Sequence, residues 1–262
     1  MSGLRYGCNS LTSIDWVDFI KFNDITYLRV INKAASINDQ DLAFYDEIKF
    51  SLYGNVNDPS YRIKNGDSAF LDKGTPVYSL KGYSPSFRLV VKGNQQQINN
   101  SGELFLVYEA DTNLNARTGA DLLDIEGKVE YIGINSKIDG KTELASIRDE
   151  KTVAELVRMI LKAPVDQSTD KSGSEQYFID IHLKDGSEIN RCYWLDTNVL
   201  SRGILLPNEF AEAIRAALSP STMTTNTEVT SALRSNSKPS IFCNGNISTL
   251  VEYTQAATVL ER

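Results

Sequence analysis

The sequence predicts an α+β protein: a β-rich N-terminal barrel or sandwich followed by an antiparallel sheet with helices packed on one face. Three observations carry this. In the first half, short apolar and aromatic runs are cut by turn signals at Asn65-Gly66, Lys73-Gly74 and Lys81-Gly82, about eight residues apart, the punctuation of small all-β folds. In the second half the predicted order is strand, helix, hairpin, helix, which lays helices over an antiparallel sheet. Between the two strand-like runs of that hairpin stands Asp185-Gly186, a strong short-range turn signal. The expected division is a tail (1–13), a β-rich domain (14–110), an α+β domain (111–218) and a weakly ordered polar segment (219–262).

Taken in order, "IDWVDFIKFNDITYLRVI" (14–31) reads as an aromatic-rich turn leading into a strand over 25–31, where β-branched residues accumulate. "EIKFSLYGNV" (47–56) alternates Ile48, Phe50 and Leu52 with polar partners, the period of a half-buried strand. "GTPVY" and "GYSPSFRLVV" read as two strands joined through residues 79–82, with Pro76 and Pro85 at strand starts or edges. "ELFLVYEA" (103–110) and "KVEYIGINS" (128–136) are further strands. In "RDEKTVAELVRMILKAPVD", Asp149 is placed as an N-cap, Val153, Leu156, Val157, Ile160 and Leu161 form one stripe, and Pro164 ends the helix. "LPNEFAEAIRAAL" supplies a second helix with Pro207 near its start. The Ser, Thr and Asn-rich end buries little, and only "STLVEYTQAATVL" (248–260) has a helical pattern.

Charge and cysteine use narrow the function classes. With 27 basic against 34 acidic residues the net charge is −7, which opposes the counterion-release attraction that drives nucleic-acid binding. No apolar run reaches the roughly 18 residues that span a bilayer. Cys8, Cys192 and Cys243 are too few for a disulfide framework and too scattered for a zinc site. Gly7-Cys8 followed by Asn9-Ser10 resembles a bacterial lipoprotein cleavage site, which makes Cys8 a candidate for lipidation and leaves Cys192 and Cys243 as a candidate pair. Arg5 and Tyr6 depart from the small and apolar residues usual before such a cysteine, and an ordinary tail with a chance cysteine stays open. A membrane association would run only through that N-terminal lipid.

The single histidine, His182, limits any Ser/His/Asp or Cys/His chemistry to one position. A two-residue Asp185-Gly186 turn would set Asp180 opposite Arg191 and Ile179 opposite Cys192, so His182 and Cys192 would point apart. In "DTNLNARTGADLLDIEGK", Asp111, Asn113 and Asn115 have the alternate spacing with which a calcium loop begins. Ala116 stands where that loop wants glycine and Leu122 where it wants glutamate; Asp121 and Asp124 are the residues that would complete an irregular calcium site. The bland alternative is a set of Asx-turns closing the loop. No nucleotide-binding or nucleophile-elbow motif and no marked carboxylate pair occurs. Tyr78, Tyr83, Phe87 and Arg88 are the candidate interaction patch, since aromatic and arginine side chains dominate contact hot spots. Against this stands a reading in which Val77, Phe87, Leu89 and Val91 are core and the tyrosines cover a barrel rim.

Taken together, "CNSLTSIDWVDFIKFNDITYL", "GTPVYSLKGYSPSFRL" and "GADLLDIEGKVEYIGINS" resemble lipoproteins of unknown function from Gram-positive, Bacillus-type bacteria, over much of residues 8–160. The resemblance implies attachment through Cys8 outside the membrane and a place in the cell envelope, and brings no active site with it. The expected function is a non-enzymatic binding module for a protein or cell-wall component. A small-ligand or calcium sensor using the 111–124 loop is the alternative, and a carboxylate-dependent hydrolase a weaker one.

Overall fold

The computed structural model describes residues 16–30, 37–58, 60–94, 104–166 and 173–219. Most of them belong to two β-sheets. The first is a curled half-barrel of eight strands: β1 (Phe19–Phe22), β2 (Ile25–Arg29), β3 (Leu42–Glu47), β4 (Phe50–Ser51), β5 (Asp67–Ser68), β6 (Pro76–Leu80), β7 (Arg88–Lys92) and β8 (Phe105–Asn113), in the order β3-β6-β7-β8-β2-β1-β5-β4. Neighbours are antiparallel except β4 and β5. The second holds β9 (Val129–Asn135), β10 (Glu143–Ile147), β11 (Gln176–Leu183), β12 (Glu188–Trp194), β13 (Val199–Leu200) and β14 (Ile204–Leu205), in the order β10-β9-β11-β12-β13-β14. Two α-helices, α1 (Glu150–Lys162) and α2 (Asn208–Leu218), are the longest helical elements among the described residues. The protein is thus β-rich and α+β.

Alternation explains the first core. Leu89 and Val91 of β7 and Leu106, Tyr108 and Ala110 of β8 turn to one side and pack with Ile20, Phe22 and Tyr27. Val90 and Val107 turn to the other side and meet Leu80. Because β7 and β8 are covered on both faces, Arg88–Val91 and Leu106–Asp111 are buried without a break, and the centres of these strands read as apolar runs rather than as alternation.

In the second core, Ile132 and Ile134 of β9, Ile179 and Ile181 of β11, and Ile189 and Tyr193 of β12 join the apolar stripes of both helices. Helix α1 starts where Asp149 Oδ1 accepts the Thr152 N–H at 2.9 Å and stops at Ala163, ahead of Pro164. Helix α2 follows Pro207.

Several elements differ from the sequence expectation. Residues 19–22 form β1 rather than a turn, because Asn23 and Asp24, at φ 49° and 61°, make the two-residue left-handed turn that returns the chain as β2. Residues 47–56 hold the last residue of β3 and the two-residue β4 in place of one longer strand; Ile48 and Leu52 are buried as alternation predicts, while Phe50 faces outward at the sheet edge. The hairpin turn has three residues, not two. Leu183 N–H donates to Ser187 O at 2.8 Å and Gly186 N–H to Leu183 O at 2.9 Å, with Gly186 at φ +83°, the type I turn plus left-handed glycine of a three-residue loop. One extra residue shifts the pairing by one and inverts the faces of one strand. Ile179 therefore pairs with Arg191, Asp180 with Asn190, and Phe178 with Cys192. Cys192 shares the outer face with His182 but lies four residues along the ladder from it, about 13 Å at strand rise. It is buried and disulfide-bonded, its partner lying outside the described residues. Cys8, Cys243 and the 248–260 helix also fall outside them.

Candidate functional site

The two sheets meet where the outer face of β7 and β8 touches the β11–β12 turn, and three of the four candidate patch residues converge there. Arg88 is 2% exposed and Phe87 1%, so neither is a surface group. Arg88 Nη2 lies 2.5 Å from Glu109 Oε1, and Nη1 donates to Ser187 Oγ at 3.2 Å and faces Asp185 Oδ2 at 3.8 Å. Its guanidinium stacks 4.3 Å from the Tyr83 ring centroid. The Tyr83 hydroxyl donates to Asp185 Oδ2 at 2.5 Å; burial and that carboxylate push the phenol up to about 12. Arg191 Nη2 approaches the other Glu109 oxygen at 3.9 Å, and burial pulls its guanidinium down from its ordinary value. Such a network orients the two sheets: arginine suits buried pairing because its planar fork meets a carboxylate with two donors.

The calcium-loop residues are also drawn into this seam or into local turns. Asp111 pairs with Arg202. Asn113 Oδ1 accepts the Asn115 N–H at 3.0 Å, and Asp121 Oδ2 accepts the N–H groups of Arg117 and Thr118 at 2.9 Å each. Asp124 pairs with Lys128 and accepts the Ser84 N–H at 2.7 Å. The oxygens thus point at different partners, and among the described residues no group of three or more His, Cys, Asp or Glu is placed to hold a metal ion. Asp121 does what an Asx-turn residue does; its carboxyl is held below the usual range by those two backbone amides.

Tyr78 goes elsewhere. On the edge of the half-barrel it pairs directly with Phe44 of β3, and the rings meet edge-to-face at 6.4 Å. Phe44 is 67% exposed. Lys92 reaches over the Tyr78 ring at 5.3 Å and pairs with Asp39 at 2.9 Å. The rung continues inward through Val90 and Val107, so one line of side chains runs from buried core to naked rim. Toward the opposite edge stand Tyr53, 68% exposed, and Phe70, 42% exposed, with rings 5.6 Å apart. Phe50 of β4 sits 6.2 Å from Tyr61. Among the described residues, β3 and β4 are the end strands of this sheet, which leaves Phe44 of β3 at the rim; Tyr53 and Phe70 lie in the turns that follow β4 and β5. Sequence reasoning found Tyr78 and missed Phe44, Tyr53 and Phe70: an aromatic residue in or just after a short strand reads as core until the strand's place in the sheet is known. No family model, no curated protein and no solved structure matches the chain.

Proposed function

We propose that this chain is a non-enzymatic binding module of the cell envelope that holds a protein or wall component through the rim of its half-barrel. The observation that carries the reading is the two exposed ring contacts, Phe44 with Tyr78 on the sheet and Tyr53 with Phe70 in the turns beyond its β4–β5 end. Exposed apolar area is recovered at about 25 cal/mol per Å² when a partner covers it. Rings already packed on each other lose little freedom on binding, which is why rigid aromatic side chains serve as anchors. Acids near this rim are matched by cations, Asp39 with Lys92 and Asp46 with Lys49, which favours a partner held by apolar contact over one held by charge. The envelope location rests on the sequence resemblance.

Co-sedimentation with isolated Gram-positive cell walls, with and without their surface proteins, tests the proposal. The parent chain is expected to sediment, and the variants Phe44→Ser/Tyr78→Ser and Tyr53→Ser/Phe70→Ser to lose about tenfold or more in retention, the equivalent of one lost hot spot. Retention unchanged in both variants, or no retention of the parent on either preparation, would overturn it.

A further inference from the structure

The outer face of the second sheet carries an apolar patch that neither the seam nor the aromatic rim uses. Phe178 pairs with Cys192 across β11 and β12, Trp194 with Val199 across β12 and β13, and Val199 with Leu205 of β14, so all five side chains turn to one side. They form a cluster of their own. The residues of the other side, Ile179, Tyr193, Leu200 and Ile204, belong instead to the core that holds the apolar stripes of α1 and α2. Phe178, Cys192, Trp194 and Val199 are nevertheless only 4–6% exposed. Side chains that stand perpendicular to a sheet cover one another's flanks and not their tips. The cover comes from another part of the chain.

Cys192 points to which part. It is disulfide-bonded to a residue outside the described ones, and the chain holds three cysteines, so its partner is Cys8 or Cys243. Tether length and direction separate the two. The described residues begin at Trp16, whose ring packs against Phe19 of the half-barrel, and the eight residues back to Cys8 span at most about 28 Å. The half-barrel meets the second sheet through Glu109 and Arg191. Arg191 pairs with Ile179 on the core side, opposite to the side that Cys192 takes. A bond from Cys8 would have to round the sheet on that short tether. From Ser219, just past α2 in the second half, 24 residues lead to Cys243, a reach of about 80 Å. Cys243 also brings apolar residues with it, since Ile241 and Phe242 stand directly before it.

We infer that Cys192 is bonded to Cys243 and that the Ile241-Phe242-Cys243 segment is the occupant of the patch formed by Phe178, Trp194, Val199 and Leu205. The bond forms by thiol–disulfide exchange: two thiols are oxidised, and their two electrons and two protons pass to a disulfide donor, which leaves as two thiols. A structural bond of this kind persists where thiols are kept oxidised, outside a reducing cytosol. It leaves Cys8 as the one cysteine whose sulfur is open to a lipid. The inference uses no residue of the aromatic rim, so it and the rim proposal stand or fall separately.

Disulfide mapping on the full chain, oxidised with glutathione disulfide, tests the inference. Trypsin separates the three cysteines by cutting after Lys21, Arg191, Arg202 and Arg234. After alkylation and digestion without reductant, the 192–202 peptide is expected to be linked to the peptide that holds Cys243, with Cys8 alkylated. A dye that fluoresces on exposed apolar surface, anilinonaphthalene sulfonate, reads the occupancy. Cys243→Ser and Ile241→Asp/Phe242→Asp are expected to raise its fluorescence severalfold at unchanged far-ultraviolet circular dichroism, and Cys8→Ser to leave it as in the parent. The mapping needs no variant, so it decides the pairing even where a substitution prevents folding. A 192–202 peptide linked to Cys8, or left alkylated after oxidation, would overturn the pairing. Dye fluorescence in Ile241→Asp/Phe242→Asp equal to the parent's would overturn the occupancy.

Discussion

Arg88 and Arg191 share one carboxylate, that of Glu109, at 2.5 and 3.9 Å. Taking away one partner of a buried pair leaves the other uncompensated, at about 3–5 kcal/mol. The sharing makes the two removals unequal. Arg88→Met still leaves Glu109 with Arg191, whereas Glu109→Gln leaves Arg191 facing a neutral amide and Arg88 with the longer contact to Asp185 at 3.8 Å. Glu109→Gln is expected to lose about 3–5 kcal/mol in urea unfolding at neutral pH and Arg88→Met clearly less; the reverse order would show that Arg191 does not lean on Glu109. Alternation along β7 predicts which side Arg88 takes. It does not predict that this side is covered, because the cover comes from Ser187, 99 positions away in the chain.

Local elements were most legible where one residue type enforces them. Asp149 and Pro164 bracket α1 as expected, and Asp185-Gly186 marks the hairpin. The hairpin's register was not legible, since the same dipeptide serves two-residue and three-residue loops, and the choice depends on where Leu183 and Ser187 bond. Two glycines separate conformational from steric demand. Gly186 holds φ +83° with open space around it, while a Cβ on Gly119 would sit 1.9 Å from the Ile160 carbonyl oxygen at the end of α1. Gly186→Ala is expected to lose about 1–2 kcal/mol, the usual left-handed penalty. Gly119→Ala is expected to lose more, because helix backbone has to move aside. Comparing the two by thermal unfolding checks this, and a milder loss at Gly119 would mean that α1 shifts freely over the half-barrel's exit loop.

Among the described residues, carboxyls held below their ordinary range outnumber those held above it. Hydrogen bonds hold down Asp139, to about 2, and also Asp121, Asp149 and Asp196; burial raises Asp18 and Asp180. A depressed carboxyl contributes stability above its unfolded value of about 4 that is lost as pH falls through the folded value, and a raised one acts in the opposite sense. The majority sets the sign, so the urea midpoint is expected to fall as pH drops from about 4 toward about 2; a flat or rising midpoint would contradict it. At this scale the β-rich, α+β character was readable from turn spacing and from the change of style after residue 128. The order of strands in the half-barrel was not, because β8 pairs not only with its sequence neighbour β7 but also with the distant β2, and it is this order that makes β3 and β4 edges. Strand β8 also fixes how this chain can be rearranged. From its outer face Glu109 and Asp111 reach Arg191 and Arg202 of the other half, so neither half is an exchangeable cassette: a recombination that transplanted the second sheet alone would carry two arginines away from the acids that neutralise them.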